Sequence, residues 1–286
     1  MKEDGMPGLL VGSEEHRRLY CRTFVATHKP YLPEDIAWPQ LDAEALGRLA
    51  ALPVWNEAVR TEAATAVKVQ TLGRAEPDPV LAQAISLQGY EEGRHADVLT
   101  LLTRRYGIAV DPFSTPAPPA DPTWTFLRTG YGECLDSFFA FGLFEIGRRT
   151  ELFPHELIAI FDQIMQEEAR HILFLVNWAA DLRARRGLLA RPAFDLRRAW
   201  NIGAQAFDRV RGAMAMKGSG SQDGFTMTTH RELGDFSLRQ LLELCLEENA
   251  RRLAPYDARL LRPALAPATA RVLLRLLPRR GRTAAA

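Results

Sequence analysis

Two short stretches of the chain carry the same ionisable residues in the same order. The stretches "GYEEGRHADVL" (89–99) and "MQEEARHILFL" (165–175) each contain two glutamates, an arginine and a histidine. In each of them a glutamate precedes a histidine by three positions, as Glu92 precedes His95 and Glu168 precedes His171. Residues i and i+3 share a helix face, so both side chains can reach one metal ion. Carboxylate with imidazole suits iron or manganese better than calcium, which prefers oxygen ligands alone.

Because the motif occurs twice, it predicts a metal site much more strongly than a single motif would. A single Glu-x-x-His pair is common on solvated helices, but here the pair recurs at nearly the same distance after Pro79 and Pro154. Apolar residues flank both stretches, so the ionisable face is expected to point inward or to lie at the edge of the core. A buried, uncompensated carboxylate costs several kcal/mol. A bound cation changes this cost because the glutamates become its ligands.

The elements that position these residues are predicted to be helices, since strand signals are nearly absent and helical periodicity dominates. Asp78-Pro79 is typical of a helix N-cap followed by a first-turn proline. The proline-rich segment 107–124 predicts a long extended crossover between two helix pairs. The expected topology is a four-helix bundle with one long connection. The four predicted helices are 42–72, with an irregularity near Pro53, then 79–106, 125–149 and 154–186.

The chain outside these helices divides into two predicted extensions. We predict an N-terminal extension over 1–41, the di-metal four-helix bundle over 42–188, and a C-terminal helical extension over 189–286. Further helices are expected at 193–216, 236–252 and 266–277. The polar loop 217–230 is expected to be flexible, either as a lid or as a linker, and the basic tail to fray after Pro278.

A di-metal site in a bundle also needs one carboxylate from each of the other two helices. In an antiparallel helix pair, that residue must mirror the known ligand about the loop, which means that the two lie equally far in sequence from the middle of the loop. Glu62 mirrors Glu92 about "EPDP", and Glu57 is the weaker option.

The carboxylate of the third helix is less well determined. Glu133 and Asp136 both mirror Glu168 about the turn "RRTELFP". Glu145 would need a turn inside the fourth helix, and we interpret it as an intrahelical partner of the arginines that follow it. We choose Glu133 for its longer side chain, and Asp136 remains an alternative.

Composition excludes several other classes of protein. The chain has 286 residues, of which 47% are hydrophobic, and its 36 basic and 35 acidic residues leave a net charge of +1. No overall field therefore attracts nucleic acid, and no nucleic-acid partner is expected. We see no signal peptide and no apolar run long enough for a membrane span, so a cytoplasmic location is expected. The three cysteines form no CxxC pair, which argues against a zinc ribbon, a rubredoxin-type site and a disulfide framework.

The paired motifs resemble those of a known superfamily. "EEGRHADVL" and "EEARH" are similar to the two motifs of soluble acyl-carrier-protein desaturases, and "ECLDSFFAFGLFE" is similar to the small subunit of ribonucleotide reductase. The chain thus resembles the ferritin-like di-iron carboxylate superfamily over about residues 50–185. This resemblance implies that Glu91 and Glu167 orient the histidines; the alternative is partial exposure beside Arg94 and Arg170. The ligands that it implies are Glu62, Glu92, His95, Glu133, Glu168 and His171.

The resemblance also implies a function. The cofactor would be two iron ions, with a manganese–iron pair as an alternative because the ligand sets are nearly identical. We expect an O2-activating oxidase or oxygenase that hydroxylates, desaturates or N-oxygenates a small organic or acyl substrate, using an external electron donor. The alternatives are a ferritin- or rubrerythrin-like protein for iron storage or peroxide scavenging, and a helical scaffold. A homodimer is one candidate assembly. Four residues could wall a substrate pocket or form ordinary core: Phe138, Phe139, Phe141 and Phe144.

Overall fold

The computed structural model describes residues 9–151, 153–218 and 236–277, and every regular element in these ranges is helical. The predicted all-α class is confirmed for this part of the chain. Most of the predicted loop 217–230 and the tail after Pro278 lie outside the described residues. The helices are α1 Glu14–Ala26, α2 Ala43–Ala51, α3 Trp55–Ala75, α4 Pro79–Arg105, α5 Pro122–Arg149, α6 His155–Ala184, α7 Arg191–Gly218, α8 Leu238–Leu253 and α9 Leu265–Leu276, with a 3-10 turn at Pro33–Asp35.

Local sequence explains where the central helices begin. Asp78 caps α4 by accepting hydrogen bonds from the backbone N–H groups of Val80 and Leu81. Asp121 caps α5 in the same way, so α5 begins at Pro122, slightly before the predicted start. In both helices the proline lies in the first turn, where its missing N–H is not needed.

The predicted first helix is two helices in the structure. Leu52, directly before Pro53, has an extended backbone with a ψ of 123° and ends α2. Proline disfavours the helical conformation of the residue before it and lacks the N–H that a continuing helix requires. α3 then begins at Trp55, whose indole N–H donates to the carbonyl of Leu49 at 2.8 Å across the break.

The four longest helices before residue 190 pack on one another. α3 lies along α4, α5 contacts both α3 and α6, and α6 also contacts α4. The crossover 106–121 contains no helix. The central core includes the fully buried Ile85, Phe141, Ile172 and Trp178. α5 is further covered by α7, α8 and α9.

The N-terminal segment contributes a helix that was not anticipated. α1 packs against α4 and α6, burying Tyr20, Cys21 and Phe24. The fully buried Asp181 of α6 accepts hydrogen bonds from the Arg17 guanidinium at 3.2 Å and the Tyr20 hydroxyl at 3.3 Å. These contacts attach α1 firmly to the ligand-bearing helices. Among the described helices, none combines the length and hydropathy that crossing a membrane requires.

The contact between α5 and α8 depends on Gly142. A Cβ at this position would lie 2.4 Å from the Cys245 sulfur and 3.0 Å from the Cys245 backbone nitrogen. We expect Gly142→Ala to lower the free energy of unfolding by about 1–3 kcal/mol, since the helices must separate. Gly147→Ala is the control, because no atom lies within 4 Å of its added Cβ. It should stabilise the protein by about 0.5–1 kcal/mol in denaturant titrations. Equal effects of the two substitutions would contradict this close approach.

Candidate metal centre

Four of the predicted ligands meet inside the helical core. Glu62 of α3, Glu92 and His95 of α4, and Glu168 of α6 each offer one ligand atom, and these atoms lie within 4.8 Å of one another. Three of the four residues are buried, and the Glu62 side chain is 23% exposed. This buried carboxylate and imidazole group could hold a metal ion.

Glu168 lies between the two histidines. Its Oε1 atom is 3.1 Å from Nδ1 of His95 and 3.6 Å from Nδ1 of His171. Nδ1 of His171 is also 3.1 Å from Oε1 of Glu92. Both imidazoles, whose centroids are 5.6 Å apart, thus direct Nδ1 towards the same set of carboxylates.

The outward-facing nitrogens of the histidines bind carboxylates in a crossed arrangement. Nε2 of His95 on α4 is 2.8 Å from Oε2 of Glu167 on α6, and Nε2 of His171 on α6 is 2.9 Å from Oε2 of Glu91 on α4. An ionised carboxylate can only accept, so Nε2 carries the proton in each pair. In a neutral imidazole the Nδ1 lone pair then faces the cluster. These contacts match the orienting role predicted for Glu91 and Glu167, which are both buried.

Two buried arginines complete this outer layer. Arg94 donates to Oε1 of Glu167 at 2.8 Å, and Arg170 donates to Oε1 of Glu91. Burial raises the pKa of both carboxyls, but the hydrogen bonds from the histidines and the positive charges of the arginines outweigh it and lower the pKa. Both acceptors are therefore held ionised.

The N-terminal segment supplies contacts that the sequence analysis missed. The backbone carbonyl of Lys29 accepts from Arg94 at 3.2 Å, and the ring of Tyr31 lies 3.8 Å from the Arg94 guanidinium carbon. Nδ1 of His28 is within hydrogen-bond distance of Glu91 Oε1. No motif marks His28, since its position depends on how α1 docks.

Several polar atoms at the centre make no hydrogen bond of good geometry, although Nδ1 of each histidine has a carboxylate oxygen 3.1 Å away. These atoms are Nδ1 of His95, Nδ1 of His171 and Oε1 of Glu168, and all three are buried. An unsatisfied buried polar group costs about 1–3 kcal/mol. A metal ion between these atoms would remove that cost, so the donor set fits such an ion.

The charges of the cluster shift its proton affinities. Burial raises the pKa of Glu62 to about 8, and the charges of Glu168 and Glu92 add to this effect. Burial lowers the pKa of both histidines, but contacts with carboxylates outweigh it and leave each pKa well above its usual range. The metal-free cluster therefore retains protons that a metal ion would displace.

Glu133 of α5 is not one of the four residues whose ligand atoms meet, but it is close enough to feel the charges of that cluster. Burial and the charges of Glu92 and Glu168 raise its pKa well above the usual range. The alternatives are engaged elsewhere. Asp136 is exposed and binds the Arg209 guanidinium through both oxygens. Glu145 accepts from the two arginines that follow it, as the sequence analysis predicts, and Glu57 is exposed.

The phenylalanines of α5 belong to two parts of the core. Phe141 lies in the central cluster, whereas Phe138 and Phe139 pack with residues of α8 and α9. The Phe144 ring is 5.6 Å from the Arg252 guanidinium carbon.

Comparisons of this chain with protein-family models, with curated proteins and with solved structures found no match.

Proposed function

We propose that this chain is a ferritin-like di-iron oxidase or oxygenase that uses O2 to oxidise a small organic or acyl substrate. The antiparallel pairs α3–α4 and α5–α6, joined by the crossover 106–121, would form the four-helix bundle. Iron is the proposed metal, and a manganese–iron pair would use the same ligands. An external donor would supply electrons.

The observation that carries the proposal is the crossed pairing of His95 with Glu167 and His171 with Glu91. It fixes both rings so that their Nδ1 atoms face the carboxylates of Glu62, Glu92 and Glu168. Glu168 contacts both histidines, so it would hold metal together with them. The remaining ligands would be Glu62, Glu92 and Glu133. Two ferrous ions held with open positions would supply O2 activation, which side chains alone cannot provide.

The chain's own residues would orient and shield the site. Arg94 and Arg170 hold the outer carboxylates ionised, and those carboxylates hold the imidazoles in one orientation. The Glu62 side chain is 23% exposed, whereas both histidine side chains are fully buried. Substrate and O2 would therefore approach between α3 and α5, where Glu62 and Glu133 lie.

The alternative, iron storage or peroxide scavenging, shares the ligand set but differs in iron stoichiometry. We expect anaerobic titration with Fe(II) to saturate at about two ions per chain. O2 consumption should then depend on added reductant and increase with an acyl or apolar substrate. Uptake of many irons per chain into a large cage would support storage instead. Reduction of peroxide without substrate oxidation would support scavenging.

The assignment of the α5 ligand has its own test. Glu133→Gln should reduce iron from about two ions per chain to one or none, because a neutral amide is a poorer ligand. Asp136→Asn is the matched control on the same helix, and it should bind iron as the wild type does, since Asp136 binds Arg209. Metal analysis after equilibrium dialysis measures both. Full loading of Glu133→Gln with loss of iron from Asp136→Asn would reverse the assignment.

A further inference from the structure

One face of α7 exposes an apolar stripe with the spacing of a helix-pairing seam. Leu196, Trp200 and Phe207 are 74%, 78% and 64% exposed. With Ala193 and Gly203 they recur at alternating intervals of three and four residues, which places them on one side of the helix. This stripe, at positions 193, 196, 200, 203 and 207, is called the α7 seam below.

The opposite face of α7 is already occupied. Phe194 is buried, Arg198 lies over the Tyr131 ring, and Arg209 binds Asp136 of α5. The α7 seam therefore points away from the rest of the described chain. A tryptophan, a leucine and a phenylalanine exposed in a row are not an ordinary solvated face.

We propose that the α7 seam is the interface between two copies of this chain, paired through antiparallel α7 helices. In the register that places Leu196 opposite Phe207, Trp200 lies opposite Gly203 of the other copy. No atom lies within 4 Å of a Cβ added at Gly203, so this position leaves space for the indole. The match occurs twice because a twofold axis makes the two halves of the seam equivalent.

Charge also favours a second copy, and the seam supplies part of the area that such an interface needs. In the same register, Arg197 of one copy and Asp208 of the other lie on the same side of the seam. They are offset by about two residues along the helices, so their side chains can form an ion pair. Within the described residues, the Arg197 guanidinium lies 3.7 Å from Asp121 and stacks on the Trp124 ring. The three large side chains expose on the order of 400 Å² of apolar surface per copy, about half of what each partner in a standard interface buries. The flanking residues and the neighbouring Leu189, which is 98% exposed, would add to that area.

The test is the mass of the full-length protein in solution, measured by light scattering over a wide concentration range. The wild type should have twice the chain mass of 32.0 kDa. Trp200→Glu and Leu196→Glu should each have the mass of one chain. Leu276→Glu is the matched control, since Leu276 on α9 is 76% exposed but lies outside the α7 seam, and this variant should remain a dimer.

Gly203→Leu separates pairing from folding. It should keep or increase the thermal stability of a single chain, because leucine is the better helix former and meets open space. It should nevertheless weaken dimerisation at least tenfold by filling the space for Trp200. Asp208→Arg should weaken the dimer several-fold, and adding Arg197→Asp should restore it.

Several results would overturn the proposal. One is a wild-type protein that has the mass of a single chain at every concentration. This result would leave the seam to a membrane surface or to another part of the same chain. Others are a Leu196→Glu variant that stays dimeric, and a dimer that Leu276→Glu dissociates. Circular dichroism of each variant distinguishes dissociation from unfolding.

Discussion

Glu168→Ala is expected to lose iron binding while its helices remain folded. Glu168 is the carboxylate that contacts both histidines, so its removal should affect both proposed ions. Loss of a residue that only orients a metal ligand costs about 10–100-fold in affinity, and loss of a ligand itself should cost more. Equilibrium dialysis with Fe(II), followed by metal analysis, measures the effect.

The stability of the metal-free Glu168→Ala variant separates a lost ligand from a lost fold. Removing one of several crowded carboxylates should leave its melting temperature unchanged or raised, because binding sites are commonly built at a cost in stability. Glu247→Ala is a control on an exposed glutamate and should bind iron normally. A folded Glu168→Ala variant with wild-type iron content would show that Glu168 is not a ligand.

The metal-free protein is expected to be less stable at pH 8 than at pH 5.5. Burial raises the pKa of Glu62 to about 8. The unfolded chain loses this proton near pH 4.3, so the folded state holds one more proton across this range. The free energy of unfolding then falls by about 1.4 kcal/mol per pH unit for each such proton. Glu133 acts in the same direction, as do the histidines above about pH 6.5, since contacts with carboxylates raise their pKa.

Glu91 and Glu167 do not alter how the free energy of unfolding depends on pH in this range. The lowered pKa of Glu91 and Glu167 gives stability that is present above about pH 4.3 and is lost only below it. Between pH 5.5 and 8 we expect a net loss of about 2 kcal/mol or more in denaturant titrations of metal-free protein.

Two comparisons make the pH dependence specific to the metal centre. Glu62→Gln should reduce the slope, because it removes one of the retained protons. Iron should abolish or reverse the slope, since the ion replaces those protons. A metal-free wild type that is equally stable or more stable at pH 8 would contradict these proton affinities.

The parts of the site that local sequence determines were predictable. The i, i+3 spacing assigns each glutamate and histidine to one helix face. An Asp-Pro pair marks the first residue of both α4 and α5. The loop-centred mirror rule then identified Glu62, because a short turn forces an antiparallel partner at the same depth.

The choice on α5 needed information from elsewhere in the chain. Glu133 and Asp136 share a helix face and mirror the same turn, so spacing cannot separate them. Arg209 of α7, which lies 73 residues away in sequence, binds Asp136, and this contact favours Glu133 as the proposed ligand.

The N-terminal contribution was missed for a similar reason. Ser13 followed by Glu14 and Glu15 is a helix start that could have revealed α1. No local pattern shows that α1 then brings His28 to Glu91, because that contact depends on tertiary docking.

The most direct test of the central claim is X-ray absorption at the iron edge, with metal analysis, on protein loaded anaerobically with Fe(II). We expect about two irons per chain, with nitrogen and oxygen ligands and an iron–iron distance of about 3–4 Å. His171→Ala should lose the nitrogen ligand of one ion and remain folded. Wild-type protein without stoichiometric iron, or with iron content unchanged by His171→Ala, would contradict a di-iron centre at this site.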